Sequence, residues 1–182
     1  MPWYRRYGKI QNPITDDEFQ QGIESGHFCR RKHKAFCVLL YYSAVRKSEA
    51  LRSRRHQYIL REDRIIFEVE RRLKHGLHTP PLHLPLNAPH MDELYEAIKD
   101  TDQGKRLFPY SKKTGYNIVS RVWKGYPHLF RLSRITQFFL DGWNIAQLRS
   151  WTGLTLKALE YYVGLVDTIR MGESLGQKKG VV

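Results

Sequence analysis

The side chains with the clearest chemical potential in this sequence are four basic or imidazole groups and a pair of tyrosines. They are Arg46, Lys74, His128, Arg131, Tyr161 and Tyr162. His128 and Arg131 are three residues apart, so they share a face if the segment is helical. A guanidinium group binds phosphate oxygens through a planar fork of N–H donors, and a tyrosine hydroxyl becomes a nucleophile when it loses its proton. These residue types together indicate chemistry on a phosphate group.

The overall charge points to the same kind of partner. The 182 residues carry 31 Lys and Arg against 18 Asp and Glu, for a net charge of +13. Such an excess favours binding to a polyanion, most commonly nucleic acid. A basic protein without such a partner, or a ribosome-associated factor, is the alternative. No apolar run approaches the ~20 residues that cross a bilayer, and the N-terminus MPWYRRYGKI lacks the apolar stretch of a signal peptide. We therefore expect a cytoplasmic protein.

Two cysteines and two histidines invite a zinc interpretation. His27, Cys29, His33 and Cys37 form H-x-C-x3-H-x3-C, whereas structural zinc sites usually have two well-separated ligand pairs. Cys37 also lies in the apolar run AFCVLLYY. We therefore expect Cys37 to be a reduced core residue and predict no metal site.

The periodicity of the chain predicts helices, then a small sheet, then more helices. The predicted helices cover 15–25, 33–42, part of 43–52, 91–100, 116–124, 128–141, 145–151 and 155–171. Residues 64–71 and 82–86 read as strands of a β-hairpin or three-stranded sheet, joined by the basic tip RRLKHGLHTPP. Pro109 to Gly115 is predicted as a turn. The fold class is therefore mostly α with a small antiparallel β-sheet (α+β).

Four segments resemble parts of the tyrosine recombinases and phage integrases, and along the chain they follow the order expected of that family. SAVRKSEAL (43–51) resembles their G-x-R-x-x-E motif, and HLFRLSR (128–134) resembles H-x-x-R, especially as written in archaeal, XerA-like, viral or plasmid members. TLKALEYYVG (155–164) is similar to the stretch that holds the nucleophile. RLFPYSKKTGYNIV (106–119) looks like the connector before H-x-x-R. The resemblance covers residues 14–167 and implies the catalytic-domain fold of this family.

The resemblance implies an enzyme that cuts and rejoins DNA through a covalent 3′-phosphotyrosine, with no cofactor, metal or ATP. Arg46 and Arg131 would stabilise the charge that develops on the phosphate oxygens. His128 would act as general acid and base and orient the phosphate. Lys74 would protonate the leaving 5′-oxygen, and Tyr162 would be the nucleophile.

Several of these residues also have a purely structural interpretation. Arg46 could be a solvated helix-start residue paired with Glu49. Lys74 could contact a backbone phosphate without a catalytic role, and Arg72 could be the residue that the motif describes. His128, which follows Pro127, could be a residue at the N-terminal start of a helix without a role.

The choice between the two tyrosines rests on short cues. Val163-Gly164 resembles the segment that follows the nucleophile, which favours Tyr162. The archaeal-looking A-L-x-Y motif favours Tyr161. Neighbours on a helix lie ~100° apart, so only one of the two can face a phosphate. Tyr162 could also be an ordinary core residue on a stripe with Leu159 and Val166.

Two positions depart from the family pattern. The family usually has a His or Trp about nine residues before the nucleophile, where this sequence has Gly153; the nearest candidate is Trp151. Leu132 replaces the His that often follows the arginine of H-x-x-R. The sixth catalytic position therefore stays open, and we expect a slow enzyme.

The predicted organisation is an extension (1–13), a catalytic domain (14–171) and a flexible tail (172–182). Family members also carry an N-terminal helical domain that closes around DNA. We therefore expect either an excised domain or a minimal recombinase. With only half of the clamp, we expect weak, salt-sensitive binding, because Lys and Arg contacts to phosphates dominate affinity. The predicted partner is double-stranded DNA, with a monomer free in solution and a homotetramer on paired sites. The resemblance implies a prokaryotic or viral origin.

Three other functions compete with this interpretation. A type IB topoisomerase or telomere-resolving enzyme would use a related active site, but the insertions that distinguish those enzymes are absent from the sequence. A catalytically idle DNA-binding relative would keep the fold and the basic face. An RNA- or ribosome-binding protein would need no tyrosine chemistry.

Overall fold

The chain folds around one helix that is apolar on nearly every side. In the computed structural model, every residue from Ala35 to Ser43 of this helix is buried. A helix that is apolar all round belongs in the centre of a core. It packs against helices on several sides and against the last strand of the sheet.

The structure describes residues 13–26, 28, 30–70, 80–123 and 127–177. Within these ranges there are eight α-helices and three strands. The elements are α1 (Asp16–Ser25), α2 (Arg31–Ser43), α3 (Lys47–Arg52), β1 (Tyr58–Leu60), β2 (Arg64–Phe67), β3 (Leu82–Pro85), α4 (Met91–Lys99), α5 (Lys112–Val122), α6 (His128–Leu140), α7 (Ile145–Thr152) and α8 (Leu156–Gln177). The predicted fold class, mostly α with a small antiparallel sheet, is confirmed.

The start of α1 follows the predicted capping chemistry. Thr15 accepts a hydrogen bond from the Glu18 backbone N–H at 3.2 Å, and Glu18 accepts one from the Thr15 backbone N–H at 2.8 Å. These reciprocal bonds satisfy two donors that a helix start otherwise leaves without partners. The helix ends at Ser25, before Gly26, as predicted.

The sheet has the order β1–β2–β3 and is antiparallel throughout. The hairpin of β2 and β3 is confirmed, although β2 ends at Phe67 rather than at 71. β1 was not predicted. It pairs Tyr58 with Phe67, and the two rings stack with centroids 4.3 Å apart. Residues 71–79, which form most of the predicted basic tip and include Arg72 and Lys74, lie outside the described residues.

The predicted turn over 109–115 is wrong in its second half, because α5 begins at Lys112. Ser111 caps this helix by accepting from the Thr114 backbone N–H at 3.0 Å. Gly115 then lies inside the helix, where an added Cβ would stand 3.3 Å from Phe36 and 3.4 Å from Leu51. The glycine therefore allows α5 to pack closely on α2 and α3 and does not end a helix.

The last helix is longer than predicted. α8 continues to Gln177, whereas the sequence predicted an end at Met171. The helix thus crosses the first part of the segment predicted as a flexible tail, and residues 178–182 lie outside the described residues. Among the described helices, none combines the length and apolar character needed to cross a membrane.

A glycine in α1 gives a stability test of this packing. A Cβ on Gly22 would stand 2.3 Å from the ring of Trp123, which stacks on Phe19 with centroids 5.4 Å apart. We expect Gly22→Ala to lower the free energy of unfolding by about 1–3 kcal/mol, because overpacking outweighs the better helix propensity of alanine.

The matched control is Gly164→Ala in α8, where an added Cβ meets no described atom within 4 Å. There the same change should raise stability by about 0.5–1 kcal/mol. Urea unfolding of both variants checks the pair, and equal effects would contradict the packing.

Candidate active site

The side chain at the centre of the candidate site is Arg131, a cation that the fold buries almost completely. Arg131 lies on α6 and is 1% exposed. Its guanidinium donates to the carbonyl of Ala44 and, at 3.0 Å, to the carbonyl of Thr152. These carbonyls lie at the C-terminal ends of α2 and α7, where the helix dipole carries partial negative charge. Arg131 therefore ties three helices together and has its charge compensated by helix ends.

The turn after α2 is shaped to meet Arg131. Ala44 adopts a left-handed conformation (φ 52°, ψ 24°), which costs an alanine roughly 1–2 kcal/mol. It occupies the glycine position of the G-x-R-x-x-E motif, where a residue without a Cβ would adopt this conformation without strain. Trp151 supports the same turn, because its indole N–H donates to the Ser43 carbonyl at 3.0 Å.

Arg46 follows this turn directly and is the exposed member of the site. It precedes the first residue of α3, and its side chain is 46% exposed. Glu49, which is buried, accepts from the Arg46 backbone N–H at 2.7 Å and from its guanidinium at 2.8 Å. The predicted pairing of Arg46 with Glu49 is confirmed as a contact. It fixes the direction of the guanidinium, and a carboxylate on one side of an arginine is compatible with an anion on another.

His128, at the start of α6, lies close enough to both arginines to feel their charge. Burial, and then the positive charges of Arg131 and Arg46, lower the pKa of His128 from its ordinary value to about 4. The imidazole is therefore neutral at pH 7 and is a weak proton acceptor until a nearby negative charge raises its pKa. The structure thus brings Arg46, at the start of α3, close to His128 and Arg131, which share α6 and lie far from Arg46 in sequence.

The two tyrosines lie on α8, which packs against α6. Tyr162 is 5% exposed and shares a buried stripe with Leu159 and Val166, as its structural interpretation predicted. Tyr161 is half-buried, and the two rings contact each other with centroids 5.5 Å apart. Tyr161 is therefore the more accessible of the two, and Tyr162 is the one that faces the interior.

The remaining predicted positions have clear structural settings or lie outside the described residues. Lys74 belongs to the second group. Gly153, nine residues before Tyr162, ends α7 in a left-handed conformation (φ 64°), which a His or Trp would adopt only with strain. Leu132 is buried. Trp151 uses its indole N–H on the Ser43 carbonyl, so in this structure it supports the turn next to the site.

Three groups that bond to the arginines of the site differ in whether the sequence could have predicted them. Glu49 stands three residues after Arg46, the spacing by which a helix start binds a carboxylate. The carbonyls of Ala44 and Thr152 are backbone groups that every residue carries, so their pairing with Arg131 had no signal. Nothing in the described ranges gathers three or more His, Cys, Asp or Glu side chains into a metal site. Cys37 is buried, which raises the pKa of its thiol; Cys29 and His27 are outside those ranges.

Several solved structures have the same fold. The crystal structure of XerA recombinase aligns with a TM-score of 0.69 at 17% identity, covering 95% of this chain and 65% of that one. The XerH site-specific recombinase in its post-cleavage complex with palindromic difH substrate gives 0.69 at 14%, covering 92% and 53%. The Tn1549 transposon integrase with circular intermediate DNA gives 0.62 at 18%, covering 85% and 61%. No protein-family model and no curated protein matches the chain.

These likenesses define the class of fold. The chain has the fold of the tyrosine recombinase catalytic domain. It spans about half to two thirds of the length of the solved recombinases that it matches.

The buried arginine gives a direct test of how the site is held. Arg131→Met should lower the free energy of unfolding by about 2–4 kcal/mol, because it leaves two buried helix-end carbonyls without their donor. Arg131→Lys should cost less, since an ammonium can still reach one of them. Urea unfolding measures both, with Arg52→Met, at an exposed position of α3, as the control that should leave stability unchanged. A stability of Arg131→Met equal to that of the unaltered protein would contradict the bridging role.

Proposed function

We propose that the chain is the catalytic domain of a site-specific DNA recombinase or integrase. In this proposal it cuts and rejoins DNA strands through a covalent 3′-phosphotyrosyl intermediate, without metal or ATP. The observation that carries the proposal is the grouping of Arg46, His128 and Arg131 on a recombinase fold. Two guanidinium groups and a neutral imidazole form a set suited to a phosphodiester in its transition state.

The chemistry begins with attack of a tyrosine hydroxyl on a backbone phosphorus. The new bond joins the phenol oxygen to phosphorus, and the bond that breaks joins phosphorus to the 5′-oxygen. The phenol proton passes to a base, a role that we assign to His128 from the resemblance. Its lowered pKa makes the imidazole a weak base in the free protein, and the negative charge of a bound phosphate would raise that pKa. Arg46 stabilises the added negative charge on the phosphate oxygens. Arg131, which is 1% exposed, adds its positive charge from beneath and reaches the oxygens only if the surrounding turn moves when DNA binds. Removing either arginine should slow cleavage about 100-fold or more.

The leaving 5′-oxygen must take up a proton, which we assign to Lys74. This assignment rests on the resemblance of the basic segment between β2 and β3. In the second half of the reaction, a 5′-hydroxyl from another strand attacks the phosphotyrosine and releases the tyrosine. The phosphodiester bond energy is kept in the phosphotyrosine, so no nucleotide cofactor is needed.

Tyr162 is the proposed nucleophile, and its burial sets a condition on the mechanism. A side chain that is 5% exposed cannot meet a DNA phosphate unless its ring or α8 moves when DNA binds. Tyr161, which is half-buried, is the alternative nucleophile and would need a smaller movement. Both alternatives keep the reaction and change only the residue that performs it.

Double-stranded DNA is the proposed partner. The net charge of +13 favours it, and the XerH and Tn1549 integrase structures are complexes with DNA. We propose a monomer free in solution and a homotetramer on paired sites, acting in the cytoplasm.

A catalytically idle DNA-binding relative is the second candidate. Two observations favour it: a helix-ending glycine occupies the usual His or Trp position, and Tyr162 lies in a core stripe. Such a protein would keep the basic face and would form no covalent adduct.

Covalent trapping separates the two candidates. The protein is incubated with EDTA and a pool of nicked DNA duplexes of randomised sequence, in which a cleaved strand loses its short 5′-hydroxyl fragment. We expect a protein–DNA band on a denaturing gel that carries a label from the 5′ end of the cut strand, because the 3′-phosphate stays on the tyrosine.

Tyr162→Phe should abolish the band, and Tyr95→Phe, at a half-buried tyrosine of α4, is the matched control that should keep it. A band lost in Tyr161→Phe instead would reassign the nucleophile. Absence of any adduct, with DNA binding intact, would favour the idle relative. An adduct that required magnesium would overturn the mechanism.

A further inference from the structure

A group of three lysines and one tyrosine lies beside Arg46, where α3 and α5 begin. The group consists of Lys47, Lys112, Lys113 and Tyr116, and we name it the lysine patch. Lys47 is the first residue of α3, and Lys112 is the first of α5. The two helices pack together, and the absence of a side chain at Gly115 allows their close approach.

The geometry of the patch joins its members. The Lys47 ammonium donates to the Lys112 carbonyl at 3.1 Å and lies 5.7 Å from the centre of the Tyr116 ring. Lys112 and Lys113 are exposed, and Tyr116 is 44% exposed, which is unusual for a large aromatic side chain in the described part of this chain. The patch therefore places the Lys47 ammonium beside the Tyr116 ring and the start of α5, where Lys112 and Lys113 are exposed.

The patch concentrates positive charge where α3 and α5 begin. Among the described residues, no carboxylate forms an ion pair with Lys47, Lys112 or Lys113. Partial burial, and then the charge of Lys112, lower the pKa of Lys47, so the two cations repel each other. Bound phosphate groups would relieve this repulsion, and the tyrosine hydroxyl could donate to the same oxygens.

We propose that the lysine patch binds backbone phosphates of double-stranded DNA next to the phosphate held at Arg46. Lys47 follows Arg46 directly, which places the patch beside the candidate site. This inference rests on the proposed function, because it takes DNA as the ligand of the neighbouring site. The patch would fix the register of the strand over the cleavage site without reading its sequence, since phosphate contacts position DNA and base contacts specify it.

The test is the salt dependence of binding. A fluorescein-labelled DNA duplex of random sequence is titrated with the full chain at salt concentrations from about 50 to 200 mM. The variant carries Lys47→Gln and Lys112→Gln. Each lost phosphate contact should lower the slope of log affinity against log salt by about 0.9, so we expect a fall of about 1–2 in the slope.

The matched control removes the same charge elsewhere, through Lys99→Gln and Lys105→Gln, both exposed. Because both variants lose two charges, a general electrostatic effect would change their slopes equally. A slope that falls only in the patch variant supports the proposal, and equal slopes overturn it. A difference seen with single-stranded RNA but not with duplex DNA would also overturn it. Lys47→Arg alone keeps the charge and should therefore leave the slope at the value of the unaltered protein. A lower slope in Lys47→Arg would count against phosphate binding.

Binding and cleavage fail separately in this design. If the slope falls only in the patch variant and no covalent adduct forms, the lysine patch binds DNA but the recombinase function is rejected. If a normal adduct forms and the slopes are unchanged, the recombinase function stands and phosphate binding by the patch is rejected.

Discussion

The structure around the candidate site depends on one buried guanidinium. A cation as isolated from water as Arg131 is costly unless polar groups compensate its charge. Here the compensation comes from the carbonyls of Ala44 and Thr152, at the ends of α2 and α7. Satisfying Arg131 therefore fixes where these two helices end relative to α6. Because Arg46 stands three residues after Ser43, the last residue of α2, the same bonds place the second arginine.

The electrostatics of the site follow from that arrangement. Arg46 and Arg131 both favour the neutral form of His128, and burial acts in the same direction. The one buried carboxylate among the described residues is Glu49, which fixes Arg46 at the edge of the site. Two cations that cannot easily lose their protons, together with an imidazole whose pKa an anion would raise, favour an anion that gains charge as it reacts.

The sequence predicted much of the fold because its signals were local. Three signals depend only on residues close together in sequence, and each predicted a helix or its boundary. They are the cap at Thr15, the apolar run that forms α2, and the glycine after α7. The prediction failed where a tertiary contact decided the outcome: Gly115 was predicted to lie in a turn but lies inside α5, where it allows close helix packing. The short β1 depends on pairing with β2. The arginines and histidine were predicted by motif, whereas the partners of Arg131 are backbone carbonyls and left no pattern. The exposure of Tyr161 and the burial of Tyr162 depend on how α8 packs against α6.

The central claim is that Arg46, His128 and Arg131 face one phosphate, and the titration of His128 tests it most directly. NMR titration of the His128 imidazole gives its pKa with and without a short DNA duplex. The His128 signals are assigned by comparison with the His128→Gln variant. In the free protein the value should be about 4. A phosphate between the two arginines stabilises the imidazolium, so DNA should raise the pKa toward the ordinary value near 6.5. A pKa that stays unchanged while DNA is bound would contradict the account.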